Sequence, residues 1–158
     1  MTRVGHGFDA HPLVEGRALT LGGVRVPFER GALGHSDADV LAHAVADAVL
    51  GAAALGDLGG RFPAGDPQWK DADSMQLLDS CVRAVRDAGW RVVNVDATIV
   101  VDRPKLAPFV ERMRGNLAQR LGIALDCVGV KAKSSEGLGY TGDGSGIVAY
   151  AVASIEPA

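Results

Sequence analysis

Aromatic residues are scarce in this chain, at 5% of 158 residues, so a core here must be built from Val, Leu, Ile and Ala. Cysteine is nearly absent: Cys81 and Cys127 stand alone, outside any Cys-x-x-Cys or Cys-His motif. That spacing excludes a disulfide framework or a cysteine zinc knot and suits two small apolar residues in a reducing compartment. No stretch of about 18 apolar residues is available to span a membrane, and the N-terminus lacks the apolar segment of a signal peptide. A cytoplasmic location with no membrane partner is therefore expected. Basic excess is also missing. The formal charge is −3, which argues against nonspecific nucleic-acid binding, although a bound divalent cation can make an acidic protein receptive to phosphates. No G-x-x-x-x-G-K-[ST] loop occurs, and Gly144-Ser145-Gly146-Ile147-Val148-Ala149, which spells G-x-G-x-x-A, opens a strand rather than a helix. P-loop and dinucleotide readings both fail on context.

What is present is a single-domain length (1–158), 47% hydrophobic residues and 21 glycines clustered in loops, where backbone N–H groups can approach anions. The opening Gly5-His6-Gly7-Phe8-Asp9-Ala10-His11 reads as a short strand. Alternation then sends Asp9 and His11 to one face, about 7 Å apart along the backbone. A carboxylate and an imidazole so placed can converge on zinc, given a further ligand. A plain hydrogen-bonded Asp-x-His is the other reading of this heptapeptide.

From Ser36 an alanine-rich helix is expected, with Ser36 and Asp39 forming a start resembling a capping box. Val40, Leu41, Ala44, Val45, Ala48 and Val49 form its core stripe. Asp39, His43 and Asp47 fall at i, i+4 and i+8 on another face, where a histidine can ligate through one nitrogen while a carboxylate holds the other. Taken alone this is a solvated polar stripe. Beside Asp-x-His, His43 becomes a third ligand, leaving the fourth tetrahedral position open as in catalytic zinc.

The remaining elements follow from periodicity and punctuation. Gly22-Gly23 joins a hairpin between Ala18–Leu21 and Val24–Val26. Asp57 to Ala72, rich in Gly and Pro, reads as an extended loop of the kind often used for function. A helix from Asp73 to Ala88 buries Leu77, Leu78, Cys81, Val82 and Val85 and stops at Gly89. A strand from Arg91 to Val101 puts Val93, Val95, Ala97, Ile99 and Val101 on one face. A helix from Pro108 to Leu121 follows, then strands from Val128 to Lys133 and Ile147 to Ile155. The fold class is α+β: one mixed sheet with helices packed largely on one face.

Several blocks together resemble the 2-C-methyl-D-erythritol 2,4-cyclodiphosphate synthase family of the non-mevalonate isoprenoid pathway. They are Gly5 to His11, His35-Ser36-Asp37-Ala38-Asp39-Val40, Gly51 to Gly59, Phe62-Pro63 with Asp66-Pro67, Pro104-Lys105, Val130-Lys131-Ala132, and Glu136-Gly137-Leu138-Gly139-Tyr140-Thr141-Gly142. The resemblance spans essentially the whole chain. It implies a homotrimer with active sites at subunit interfaces, and a cytidyl diphosphate substrate, 4-diphosphocytidyl-2-C-methyl-D-erythritol 2-phosphate. The substrate's 2-phosphate attacks its β-phosphorus and releases CMP.

Carried over residue by residue, the resemblance implies zinc on Asp9, His11 and His43, and Mg2+ or Mn2+ on Glu136. It implies transition-state stabilisers at His35 and Ser134, where serine replaces the usual threonine but keeps the hydroxyl. Asp57, Leu58 and Gly59, with Phe62, Pro63, Ala64, Gly65 and Asp66, match the methylerythritol-binding portions. Val101, Pro104, Lys105, Leu106 and Ala107 match the cytidine pocket. Ser36, Lys133, Ser135, Tyr140 and Asp143 complete the substrate-binding set. Two further positions depart from the family: Lys133 stands where threonine is common, and Asp143 where many members carry an arginine, which in some relatives lines a cavity on the trimer axis that accepts prenyl diphosphates. An aspartate there repels that anion. A zinc phosphodiesterase, or a non-catalytic nucleotide or metal sensor, are the competing readings of the same residues.

Overall fold

The glycine-rich opening folds as one long strand rather than a short one. In the computed structural model, which describes residues 1–158, β1 spans Arg3–Glu15. The strands β2 (Leu19–Leu21) and β3 (Val24–Val26) form the expected hairpin, with Leu21 opposite Val24. Gly22 and Gly23 both have positive φ, 56° and 72°, as a two-residue turn between right-twisted strands requires. After β4 (Arg30–Ala32) come β5 (Trp90–Val100), β6 (Val128–Lys133) and β7 (Gly146–Pro157). The main sheet has the order β4-β1-β7-β5-β6, antiparallel except where β5 meets β6. It is a mixed sheet, as expected.

Helix α1 (Val40–Ala52) lies against β1, β7 and β5; α3 (Ser74–Asp87) packs beside α1, and α4 (Val110–Leu121) packs beside α3 and against β6. All pack on one face of the sheet in an α+β arrangement, around a cluster of 42 buried apolar residues. Close approach of α1 to β1 depends on missing side chains. A Cβ on Gly7 would stand 1.8 Å from the Ala44 carbonyl oxygen, and one on Gly5 would stand 2.0 Å from that of Ala48. On the opposite face of β1 and β7, Val4, Phe8, Tyr150 and Val152 are exposed, with Phe8 paired to Tyr150 across the strands.

Several expectations need correction. Ser36 does not begin α1; Asp39 is its N-cap and accepts from the Ala42 N–H. Asp39 is also fully buried, because its carboxylate takes the Gly22 and Gly23 N–H groups at 2.9 and 2.8 Å. Burial pushes its carboxyl up to about 6, against the pull of those donors. It therefore fastens the hairpin to the helix and does not belong to a solvated stripe. The 57–72 segment is not extended throughout: Leu58–Arg61 forms a short helix (α2) capped by Asp57, and Pro67–Trp69 a 3-10 turn capped by Asp66. A bulge between Val92 and Asn94 rotates the start of β5, so Val92 is buried where Val93 was expected. Pro108 sits in a 3-10 turn ahead of α4 rather than in its first turn. Cys81 is buried and its thiol is pushed up to about 12 by burial, while Cys127 is only half-buried. No helix is long and apolar enough to cross a membrane.

Candidate metal centre and a second hollow

Asp9 and His11 leave β1 on the face toward α1, and His43 descends from α1 to meet them. His11 Nε2 and His43 Nδ1 both lie close to Asp9 Oδ2, at 2.8 and 3.0 Å, and the three ligand atoms fall within 4.8 Å of one another. Burial works against ionisation of Asp9, but the two imidazoles beside it outweigh that and hold the carboxyl below its ordinary value. For His11, burial opposes the charged form and the Asp9 carboxylate overrides it, so its pKa is raised.

The donor chemistry fits a divalent ion. His11 Nδ1 lies 3.0 Å from the Leu33 carbonyl oxygen, which can only accept, so Nδ1 carries the proton and Nε2 presents a lone pair. That Nε2 is buried and makes no hydrogen bond, despite its nearness to Asp9. One carboxylate oxygen and two imidazole nitrogens with room for a fourth ligand match an open zinc site.

The triad opens into a hollow of about 220 Å³ lined also by His35, Ser36, Asp47, Leu58, Gly59, Phe62, Ala64 and Trp69. His35 Nε2 donates to the Asp66 carbonyl oxygen at 2.8 Å, leaving Nδ1 as its acceptor. Asp57 is exposed and caps α2, accepting from Gly60 N–H at 2.7 Å; Pro63 and Gly65 are exposed on the same segment. Asp47, expected to be a partner of His43, instead accepts the Leu58 N–H at 2.7 Å and anchors this segment to α1.

The other expected site residues gather elsewhere. Val101, Pro104, Lys105, Leu106, Ala107, Lys133 and Ser134 line a second hollow of about 130 Å³, together with Asp102. Within one chain the two hollows share no lining residue. Asp102, which the sequence reading passed over, organises the second. Its Oδ1 accepts from Ser134 Oγ and Ser135 N–H at 2.9 and 2.7 Å, and its Oδ2 accepts from Gly137 N–H at 2.9 Å. The backbone donors of Ser135 and Gly137 hold its carboxyl below the ordinary range. Between them Glu136 is exposed and has a φ of 54°, its N–H donating to Ser134 Oγ at 2.9 Å. Ser135 Oγ bonds Thr141 Oγ1. Tyr140 is exposed beside Gly146. Asp143 accepts from Ser145 N–H and Oγ, which lowers its pKa, and lines a third hollow with Arg30 and Arg103.

The sequence reading also missed Ser74 and Asp37. His43 Nε2 lies 2.7 Å from Ser74 Oγ, and Ser74 Oγ in turn bonds Asp37 Oδ1. The only signal was Asp73-Ser74 at a helix start, which reads equally well as capping.

Comparisons of sequence and of fold with known proteins lead to one family. The YgbB family model matches residues 2–156. A 2-C-methyl-D-erythritol 2,4-cyclodiphosphate synthase from Geobacter metallireducens is 59% identical over 154 residues, covering 98% of both chains. One from Moorella thermoacetica is 57% identical over 150 residues, covering 95% of this chain and 92% of the relative. Among solved structures, a CDP-bound 2C-methyl-D-erythritol-2,4-cyclodiphosphate synthase superposes with a TM-score of 0.89 at 38% identity, covering 98% of this chain and 100% of that one. The bifunctional IspDF from Campylobacter jejuni gives 0.96 at 37% identity over all of this chain, which spans 43% of that longer protein. The chain belongs to the YgbB family, and with it to the 2-C-methyl-D-erythritol 2,4-cyclodiphosphate synthases, lyases of the non-mevalonate isoprenoid pathway.

Proposed function

We propose that this enzyme converts 4-diphosphocytidyl-2-C-methyl-D-erythritol 2-phosphate to the 2,4-cyclodiphosphate and CMP. The observation that carries the reading is the triad itself: one carboxylate oxygen and two imidazole nitrogens face one point at the mouth of a hollow. An oxygen of the substrate's 2-phosphate forms the new bond to the β-phosphorus. The bond from that phosphorus to the CMP phosphate oxygen breaks, and CMP leaves with the electron pair. The attacking oxygen is already ionised, so no protein nucleophile or general base is needed. Catalysis reduces to holding the substrate folded, with attacker and leaving group in line, while its charge is neutralised.

Asp9, His11 and His43 would hold a zinc ion, which would supply Lewis acidity toward the β-phosphate. Ser36 is placed to donate to a phosphate oxygen from beside the triad, and His35, whose Nε2–H is held by the Asp66 carbonyl, stabilises phosphate charge through Nδ1 when that nitrogen takes up a proton. Leu58, Gly59 and the segment from Phe62 to Asp66 bound the volume for the methylerythritol portion. In the second hollow, backbone groups of Pro104 to Ala107 read the base, and Lys105 and Lys133 offset diphosphate charge. Ser134 donates to the transferring phosphoryl group by turning its hydroxyl away from Asp102, to which it donates in the free chain. Glu136 would offer a hard carboxylate to a Mg2+ or Mn2+ ion, whose charge would offset that of the diphosphate.

One substrate has to engage both hollows, and they are separate within a chain. A homotrimer in which the second hollow of one copy faces the triad of its neighbour meets that need. The exposed Val4, Phe8, Tyr150 and Val152 give the open sheet face apolar surface to bury in such an assembly. The working location is the cytoplasm. Asp143 brings a negative charge where a prenyl diphosphate would need a cation, and weakens what Arg30 and Arg103 of the same hollow could offer it. Product analysis on the cytidyl substrate is the test: cyclic diphosphate with equimolar CMP is expected. A linear hydrolysed phosphate would make this a phosphodiesterase instead, and absence of turnover with metal bound would make it a sensor.

A further inference from the structure

We propose that Ser74 and Asp37 are positioning residues that keep the His43 proton on Nε2, turn Nδ1 toward the ion, and so set the affinity of the triad for its metal. The inference rests on the metal reading of Asp9, His11 and His43.

Ser74 has no structural employment that explains its hydroxyl. It opens α3, but Asp73 already caps that helix by accepting the Met75 N–H at 2.9 Å. The side chain is nonetheless 1% exposed, and burying a hydroxyl is unfavourable unless its hydrogen bonds are met. They are met by His43 Nε2 at 2.7 Å on one side and Asp37 Oδ1 on the other. Ser36 Oγ also approaches Nε2, but at 3.3 Å, and it is already an acceptor for the Ala38 N–H.

Direction follows from counting protons. An ionised Asp37 can only accept, so Ser74 gives it the hydroxyl proton. The Ser74 oxygen then takes the proton of His43 Nε2, and Nδ1 is left with its lone pair. Three links run in series: Asp9 to Nδ1, Nε2 to Ser74, and Ser74 to Asp37. A neutral His43 and one hydroxyl supply two protons for them. The unfilled link is the one between Nδ1 and Asp9 Oδ2, 3.0 Å apart, where two acceptors face each other and a divalent cation relieves the repulsion. Asp37 is kept in place from three directions. Its Oδ2 accepts the Ser74 N–H and its Oδ1 the Asp39 N–H, both at 3.2 Å, while its own N–H donates to the Ala72 carbonyl oxygen at 3.0 Å. The relay thus ties the entry of α1 to the start of α3.

The test measures zinc affinity by chelator competition on the full chain. Ser74→Ala and Asp37→Ala are each expected to weaken zinc binding about 10- to 100-fold, the usual effect of removing such a partner. The double variant should be no weaker than the weaker single, because both act through one series of bonds. Ser74→Thr, which restores the hydroxyl, should recover most of the loss. Unchanged affinity in Ser74→Ala, or losses that add in the double variant, would overturn the proposal. The unmodified protein gives a decision that needs no variant: nitrogen-15 spectra of the zinc-loaded chain should show His43 ligated through Nδ1 with a proton on Nε2. Ligation through Nε2 overturns the proposal while leaving the metal site intact. A His43→Ala variant that binds zinc as tightly as the unmodified chain would instead overturn the metal reading on which it rests.

Discussion

In the triad hollow each ligating side chain comes from the interior of β1 or α1, and each imidazole meets a fixed partner, Leu33 carbonyl for His11 and Ser74 for His43. Lys133, Ser134 and Glu136 instead project from the end of β6 and the turn after it, all three exposed, with Asp102 as the carboxylate that gathers that turn. The contrast separates two demands on an active site. Side chains that could hold a metal are fixed by the core before any substrate arrives. Groups that meet the substrate last can sit on a rim, provided something outside the single chain completes their surroundings.

Three substitutions sharpen that contrast. The largest effect is expected from His43→Ala, which should abolish stoichiometric zinc and reduce turnover to background. The side chain is half-buried and polar, so the fold should survive, with a stability loss below about 2 kcal/mol; metal analysis and circular dichroism decide. Full zinc content in this variant would break the distinction at its stronger end.

Glu136→Gln should leave zinc untouched and lower turnover about a hundredfold at limiting magnesium, as expected when charge stabilisation at a transferring group is lost. Added magnesium or manganese should recover part of the rate. A rate independent of both the substitution and the second cation would remove Glu136 from the chemistry.

Asp102→Ala should have the smallest consequence, a loss of about tenfold in turnover from a loosened Ser134–Gly137 turn. Zinc content should not change. Since Asp102 also lines the second hollow, KM for the cytidyl substrate should rise along with the fall in kcat. If zinc affinity fell instead, the two hollows would not be independent within the chain.

Regular periodicity made much of this legible in the sequence. The Asp-x-His strand, the apolar stripe of α1, the Gly-Gly hairpin and the β6 bounds all follow from local rules, and the family resemblance named many of the residues that line both hollows, though not Trp69 or Asp102. What was not legible depends on tertiary partners. Ser36 looked like a helix cap because Asp39 is an equally good one, and only the hairpin N–H groups of Gly22 and Gly23 reveal which is used. Asp39, His43 and Asp47 share a spacing but not an environment: one caps and clamps, one faces the ion, one anchors α2. The Val92–Asn94 bulge leaves no mark in a run of β-formers. Ser74, Asp37 and Asp102 act across 31 to 37 residues of separation, beyond the reach of any periodicity.

The two glycines of β1 have a consequence for which side chains the centre can use at all. With no Cβ at positions 5 and 7, the helix backbone rests directly on the strand, and this sets the gap that a side chain from α1 must bridge to reach Asp9. Gly5 and Gly7 therefore serve as a ruler: a methyl group at Gly7 would lift Ala44, the neighbour of His43, and detune the geometry of the triad without altering any of its members. The spacing of the centre is thus set by glycines that never touch it.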